Sequence, residues 1–335
     1  MPSKEALYYK PVNDKVRCML CPHKCLIHDG KTGICQVRRN EKGVLYTEIY
    51  GKLSAINFDP IEKKPLYHYY PGSIILSIGT VGCNMHCKCC QNWQISQTSV
   101  DDFPFRNYYE IEDIVNIAKS REKNIGVAYT YNEPGIWIEY VLDVARQIQA
   151  AGMKNVIVSN GFITAEPLDA LLTCTDAFNI DLKAFSDSFY RKITGAKLEP
   201  VLGTLKRIAR AGKHLEITYL VIPTLNDNDE EFRSMVKWIA AELGRETVLH
   251  LSRYHPMYKM DIEATPPLTL QRLADTAAEY LSYIYVGNID LRDYRHTKCP
   301  ECGSIVIKRN GYYTDIRTID DNGCCSNCHK KIITL

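Results

Sequence analysis

Cysteine is the residue most able to do chemistry here, and it comes in clumps. Of 14 cysteines, Cys83, Cys87, Cys89 and Cys90 fall in GTVGCNMHCKCCQNW, where Cys83, Cys87 and Cys90 have the spacing CxxxCxxC. Three thiolates from one loop suit an iron–sulfur cluster, whose irons are bound by cysteine sulfur. In a [4Fe–4S] cube they leave one iron without a protein ligand, and an open position is where a metal site does substrate chemistry. The competing assignment is a structural zinc knuckle completed by His86 or Cys89.

Two further groups flank this loop. Cys18, Cys21, Cys25 and Cys35 read CxxCxxxCx9C, with His23 and His28 among them. Four thiolates can close a tetrahedral zinc site or hold a second iron–sulfur cluster, and spacing does not choose between them. Cys299, Cys302, Cys325 and Cys328 form CPxCG…CxxC, the pattern of a zinc-ribbon or rubredoxin-like pair of knuckles, for which zinc is expected. Cys324 is a spare neighbour of that group, and Cys174, ending a helical pattern, reads as buried packing.

The elements that must position these groups alternate. Strand patterns at Ile74–Gly79, Gly126–Tyr131, Asn155–Asn160, Phe178–Leu182, Leu215–Ile222 and Val248–Tyr254 are separated by helical patterns at Ile111–Lys123, Gly135–Ala151, Pro167–Thr173, Pro200–Ala211 and Asp229–Leu243. Ser186–Ile193 supplies a short helix. Phe232, Met235, Val236, Ile239, Ala240 and Leu243 repeat with the helical period. Six βα steps imply an α/β fold with a parallel sheet, curled as a partial (βα)6 TIM-type barrel or flat and doubly wound; periodicity does not separate the two. Residues 46–72 read as one or two short strands and a loop. The expected division is a four-Cys metal lobe at 1–45, a barrel core at 46–289 and a zinc-ribbon-like domain at 290–335.

In either architecture ligands gather at the carboxyl ends of the strands. Those ends carry Thr130-Tyr131-Asn132-Glu133-Pro134, Ser159-Asn160-Gly161, Asp181 with Lys183 on one face, and Arg253-Tyr254-His255-Pro256.

Composition narrows the class. The 335 residues are 45% apolar and 24% charged with a formal net charge of +2, which excludes a disordered chain and a polyanion-binding sleeve. No apolar run approaches the ~18–20 residues of a membrane helix. The opening MPSKEALYYKPVNDKVRC has no apolar core of a secretion signal, so a cytoplasmic location with reduced thiols is expected. Basic residues of the last lobe (Lys298, Lys308, Arg309, Arg317, Lys330, Lys331) are offset by Glu301, Asp315, Asp320 and Asp321, against a nucleic-acid partner.

The CxxxCxxC loop after the first strand of a six-step βα array resembles the radical S-adenosylmethionine (radical SAM) superfamily, in detail its pyruvate formate-lyase activating enzyme branch. Over its whole length the chain is similar to the radical SAM member of the AmmeMemoRadiSam system, through CxxCPHKC, DPIEKKPLYH, GTVGCN, CQNW, YNEP, SNGF, DLKAF, VIPTLND, RYHP and CPECG. The resemblance implies that SAM chelates the open iron of a [4Fe–4S] cluster on Cys83, Cys87 and Cys90. One electron then cleaves SAM to methionine and a 5′-deoxyadenosyl radical, which abstracts hydrogen from a substrate. By position, Asn132 and Glu133 match the stretch that holds the methionine amine, where many relatives have GGEP. Ser159, Asn160, Asp181 and Lys183 match strand-end SAM contacts, and His255 a histidine near the ribose or adenine. No catalytic residue beyond the cluster and SAM site is identified. Cys89 stands where relatives usually place an aromatic, and YNEP gives up the backbone freedom of GGEP. A flavodoxin- or ferredoxin-type electron donor is implied. The substrate is a glycine of a glycyl radical enzyme or, alternatively, a small molecule, peptide or RNA. A metal-bound docking protein without catalysis is disfavoured by the intact triad and polar strand ends.

Overall fold

The computed structural model describes residues 4–335; residues 1–3 of the expected first lobe lie outside them. Its centre is one eight-stranded sheet made of β1 (Ala55–Pro60), β2 (Ile74–Gly79), β3 (Asn124–Tyr129), β4 (Lys154–Ser159), β5 (Ala177–Asp181), β6 (His214–Val221), β7 (Val248–Arg253) and β8 (Ile284–Gly287). Strands β2 to β8 are parallel, β1 pairs antiparallel with β2, and the spatial order follows chain order without reversal. A doubly wound sheet reverses at a switch point. Strict succession with unpaired ends is the pattern of a partial barrel.

The crossovers carry α1 (Ile111–Lys119), α2 (Ile138–Ala150), α3 (Ala165–Cys174), α4 (Leu198–Arg210), α5 (Asp229–Glu242) and α6 (Pro267–Ala278). Helix α5 shows why the sequence settles locally. Asn228 caps it by accepting from the Glu230 and Glu231 amides, and Phe232, Met235, Val236 and Ile239 are buried on one face. Six parallel strands were expected, and there are seven. β8 is four residues long with three of them buried, so it has no alternation to betray it, and α6 before it follows a proline-rich loop. The expected helix at 186–193 is a short turn at Asp187–Phe189 running into a π-helical turn at Tyr190–Thr194, closed by Gly195 at φ 73°.

Both Cys-rich lobes are antiparallel and are tied to the barrel by buried polar groups. In the first, strands Tyr9–Val12, Lys15–Cys18 and Leu26–Ile27 form one sheet, and Lys4–Glu5, Val44–Thr47 and Arg38–Glu41 another. Arg38 pairs with Glu139 of α2 at 2.9 Å, both fully buried, and Glu139 also accepts from the Leu7 amide at 2.7 Å.

The last lobe, with strands Thr297–Lys298, Ile305–Asn310 and Tyr313–Ile316, sits against the amino ends of the barrel strands. There Glu216 accepts from the Tyr67 and His68 amides at 2.9 and 2.8 Å, with His214 and His250 beside its two oxygens. Burial opposes its charge, but the two imidazoles hold its carboxyl well below the usual range. His68 Nδ1 faces the Ile332 carbonyl at 2.7 Å, which can only accept, so Nδ1 carries the proton. Its Nε2 then accepts from the Tyr285 hydroxyl at 2.6 Å. Thr297 donates in turn to Tyr285, and Arg309 to Thr297 and to the Tyr67 carbonyl. Among the described residues no helix is long and apolar enough to cross a membrane.

Burial lowers the His68 pKa to about 4, against about 6.5 for a free imidazole. The unfolded chain therefore takes up the proton first, so stability is full above the free value and falls as pH drops from there towards about 4. Equilibrium denaturation should show wild type losing about 2 kcal/mol more than His68→Gln between about pH 7 and about pH 5. Equal losses would show that the fold does not hold His68 neutral.

Candidate functional site

β2 ends at Gly79, where the neighbouring strand end comes so close that a Cβ would stand 2.6 Å from the Thr130 carbonyl oxygen. The loop that leaves there is braced at nearly every residue. Asn132 accepts from the Thr80 amide at 3.1 Å and donates to the Val81 and Gly82 carbonyls at 3.2 and 3.1 Å. The π-helical turn offers the Thr194 and Ile193 carbonyls to the His86 and Lys88 amides at 2.8 and 3.0 Å. Gln97 engages His86 Nδ1 at 2.7 Å and the Met85 carbonyl at 3.0 Å.

This bracing aims Cys83, Cys87 and Cys90 into a cleft of about 240 Å³ at the carboxyl ends of the strands. Cys89, Asn132, Glu133, Ser159, Asn160, Asp181 and Lys183 line the same cleft. His255 does not: it is exposed on the loop after β7, outside the lining residues. The structure adds Tyr131, Thr218, Ser252 and Asn288 to the walls. Asn288 follows the unanticipated β8, so no pattern marked it; Tyr131 was visible in YNEP.

Glu133 is buried with both oxygens occupied. Oε1 accepts from the Gly135 amide and the Ser159 hydroxyl, each at 2.8 Å, and Oε2 from the Asn160 amide at 2.9 Å. Burial nonetheless raises its carboxyl pKa, against the pull of those donors. Asn160 Nδ2 donates to Asn84 Oδ1 at 2.9 Å and lies 3.6 Å from the Cys83 sulfur. Lys183 pairs with Asp181 at 3.0 Å. Burial works against its charge, but the neighbouring Asp181 carboxylate holds it firmly protonated.

Burial also pushes the thiols up, Cys83 well above its ordinary value and Cys87 to about 12. Buried thiols of this kind ionise when a metal takes their charge, and metal binding releases the protons. Three convergent thiols with a lysine ammonium beside them fit an anionic iron–sulfur cluster. Tyr131 keeps a left-handed backbone at φ 71° without glycine, a strain of about 1–2 kcal/mol. Its hydroxyl donates to Asp59 at 2.7 Å, which holds it there.

At the other end of the barrel, the sulfurs of Cys299, Cys302, Cys325 and Cys328 all lie within 4.8 Å of one another, so one ion could sit among them. Cys299 and Cys328 are 3.4 Å apart and Cys302 and Cys325 3.7 Å. A tetrahedral ion with metal–sulfur bonds of about 2.3 Å needs sulfurs roughly 3.8 Å apart. Cys324 lies outside the group, and Cys174 is packed at the end of α3. Cys18, Cys21, Cys25 and Cys35 line one small pocket of the first lobe.

Residues 77–239 match the family model described as the radical SAM superfamily. An uncharacterized protein of Methanocaldococcus jannaschii is 42% identical over 333 residues, covering 98% of each chain. The pyruvate formate-lyase 1-activating enzyme of Escherichia coli K12 is 25% identical over 186 residues, 53% of this chain and 73% of that one. Among solved structures, a radical SAM methyltransferase from Sphaerobacter thermophilus superposes with a TM-score of 0.50 at 12% identity, over 65% of this chain and 67% of that one.

The C-terminal sulfur group generates a test by metal removal. Cys299 and Cys325 belong to the lobe's own small core, so Cys325→Ser should remove one metal ion per chain and expose the lobe to limited proteolysis, with iron content unchanged. Retention of that ion, read by elemental analysis, would refute the assignment.

Proposed function

The chain belongs to the radical SAM superfamily, and on that premise we propose that it uses a [4Fe–4S] cluster and SAM to abstract hydrogen from a substrate, in the finer reading a glycine of a partner glycyl radical enzyme. One observation carries the reading: the three thiols and the polar strand ends line a single cleft. When bound, the cluster and SAM supply one-electron cleavage of the sulfonium and the radical that abstracts hydrogen.

The residues of the chain bind and orient. Cys83, Cys87 and Cys90 would hold the cluster. Glu133, held by three donors, presents fixed negative charge suited to the SAM ammonium group. Asn132, committed to the loop, positions the thiols. Lys183 offers a cation to the SAM carboxylate and to the thiolates, with Asp181 keeping it in place. Ser159 and Asn160 orient Glu133. His255 would need to move with its loop to reach the ribose or adenine. The glycyl substrate is supported by the likeness to pyruvate formate-lyase activating enzymes. A flavodoxin- or ferredoxin-type donor in the cytoplasm would supply the electron. Zinc suits the Cys299 group, whose sulfur spacing is that of a mononuclear site.

The decisive experiment is anaerobic reconstitution followed by dithionite, SAM and chromatographic detection of 5′-deoxyadenosine. The wild type should produce it, and Cys87→Ala should lose both the product and about four irons per chain. Glu133→Ala should weaken SAM binding tenfold or more, about 1.4 kcal/mol, with iron unchanged. A fully loaded wild type that binds SAM but yields no deoxyadenosine would defeat the proposal. A glycyl radical seen by EPR in an added partner chain supports the finer reading; deoxyadenosine without it redirects that reading to a small molecule, peptide or RNA.

A further inference from the structure

The four thiols of the first lobe are used by nothing described so far. Cys18, Cys21, Cys25 and Cys35 line one enclosed pocket together with Arg38 and Asn84. Their spacing sets them apart from the C-terminal group. Among the described residues, the mutual approach within 4.8 Å is made by Cys299, Cys302, Cys325 and Cys328. Among the described residues, no three of the first-lobe sulfurs make that mutual approach, and neither do those of Cys83, Cys87 and Cys90. A mononuclear tetrahedral ion needs the close spacing; four thiols around one pocket without it are the donor set of a cluster.

A second observation points to an anionic ligand. The Arg38 guanidinium is 1% exposed and lines the pocket. It pairs with Glu139 and reaches the Leu7 carbonyl, yet its Nε has no hydrogen-bond partner. A buried donor without an acceptor is costly. Sulfide or thiolate of a bound cluster would satisfy it, and such N–H···S contacts are among the devices that tune a cluster's potential.

The pocket also abuts the loop of the cleft. A Cβ on Gly82 would stand 2.5 Å from the Cys35 carbonyl oxygen. His23 Nε2 lies 2.8 Å from the Asn84 carbonyl oxygen. Asn84 is the covalent neighbour of Cys83, and through Asn160 its side chain reaches the Cys83 sulfur. One residue therefore walls the first pocket and flanks a ligand of the second.

We propose that Cys18, Cys21, Cys25 and Cys35 bind a second iron–sulfur cluster, which passes single electrons from an external one-electron protein donor to the cluster on Cys83, Cys87 and Cys90. The donor is oxidised by one electron and the acceptor cluster reduced by one, with no bond made and no proton moved. The binding half stands alone, while the relay half rests on the function proposed above.

The test begins with Cys83→Ala/Cys87→Ala/Cys90→Ala, whose first lobe is untouched. After anaerobic reconstitution, iron should fall from about eight to about four per chain with matching sulfide, leaving an EPR signal on reduction that serves as the signature of the first-lobe cluster. Iron near zero, with zinc at two per chain, overturns the cluster. Should that variant not fold, about eight irons in the intact chain support it and about four overturn it. The relay is read in the intact chain by freeze-quench EPR with reduced flavodoxin. The first-lobe signal should appear before that of the other cluster; the reverse order overturns the relay. Ordered reduction of both clusters without deoxyadenosine from added SAM would instead count against the radical reading and leave the relay standing.

Discussion

The Asn132 carboxamide ties the strand end of β3 to the backbone of the loop after β2, with three hydrogen bonds to residues 80–82. That contact governs the site because the loop is irregular and largely buried, and buried backbone groups outside a helix or sheet must find partners elsewhere. Asn132 satisfies the start of the loop, the π-helical turn its middle through Ile193 and Thr194, and Gln97 the Met85 carbonyl. The π geometry is well suited to the task, since widening the last turn leaves carbonyls free to face a neighbour. The thiols inherit their positions from this scaffold.

The same economy appears in the charged groups of the cleft. Glu133 follows β3 and Lys183 follows β5, with Ser159 and Asn160 at the end of β4 between them in the sheet order. Each is already held by a neighbour, Glu133 by three donors and Lys183 by Asp181. Little reorganisation is then required when a ligand brings its own charges, which is where fixed dipoles and charges are most effective.

Both lobes are fastened by buried polar contacts, and the first also by apolar packing continuous with the barrel core. Arg38–Glu139 attaches the first lobe to α2, and the chain Arg309–Thr297–Tyr285–His68 attaches the last one to the strand starts. Directional pairs of this kind specify one register of docking more than they add stability. The consequence is an asymmetric molecule: one lobe lies against the cleft loop, the other at the opposite end of the strands.

The six central strands were legible because each is a short apolar run bounded by turn residues; the bounds of Ile74–Gly79 match expectation and the others differ by at most two residues. β8 was not, since burial on both faces removes the alternation that marks a strand. The spacings of all three cysteine groups were likewise plain, as they are written in nearly consecutive residues. What the sequence could not settle was distance across the fold. Sequential strand order distinguished a partial barrel from a doubly wound sheet, because neighbours in a sheet are chosen by packing. Asn132 emerged as a brace through contacts with a loop some fifty residues away in the chain, and His255 falls outside the cleft lining. The mutual approach of the sulfurs, made among the described residues by Cys299, Cys302, Cys325 and Cys328 and by no three of the thiols around Arg38, follows from how each lobe closes on its core. Residue identity determines which atoms can bind; tertiary packing determines how far apart they stand, because thiols several residues apart are brought together by turns and cores that spacing alone does not encode.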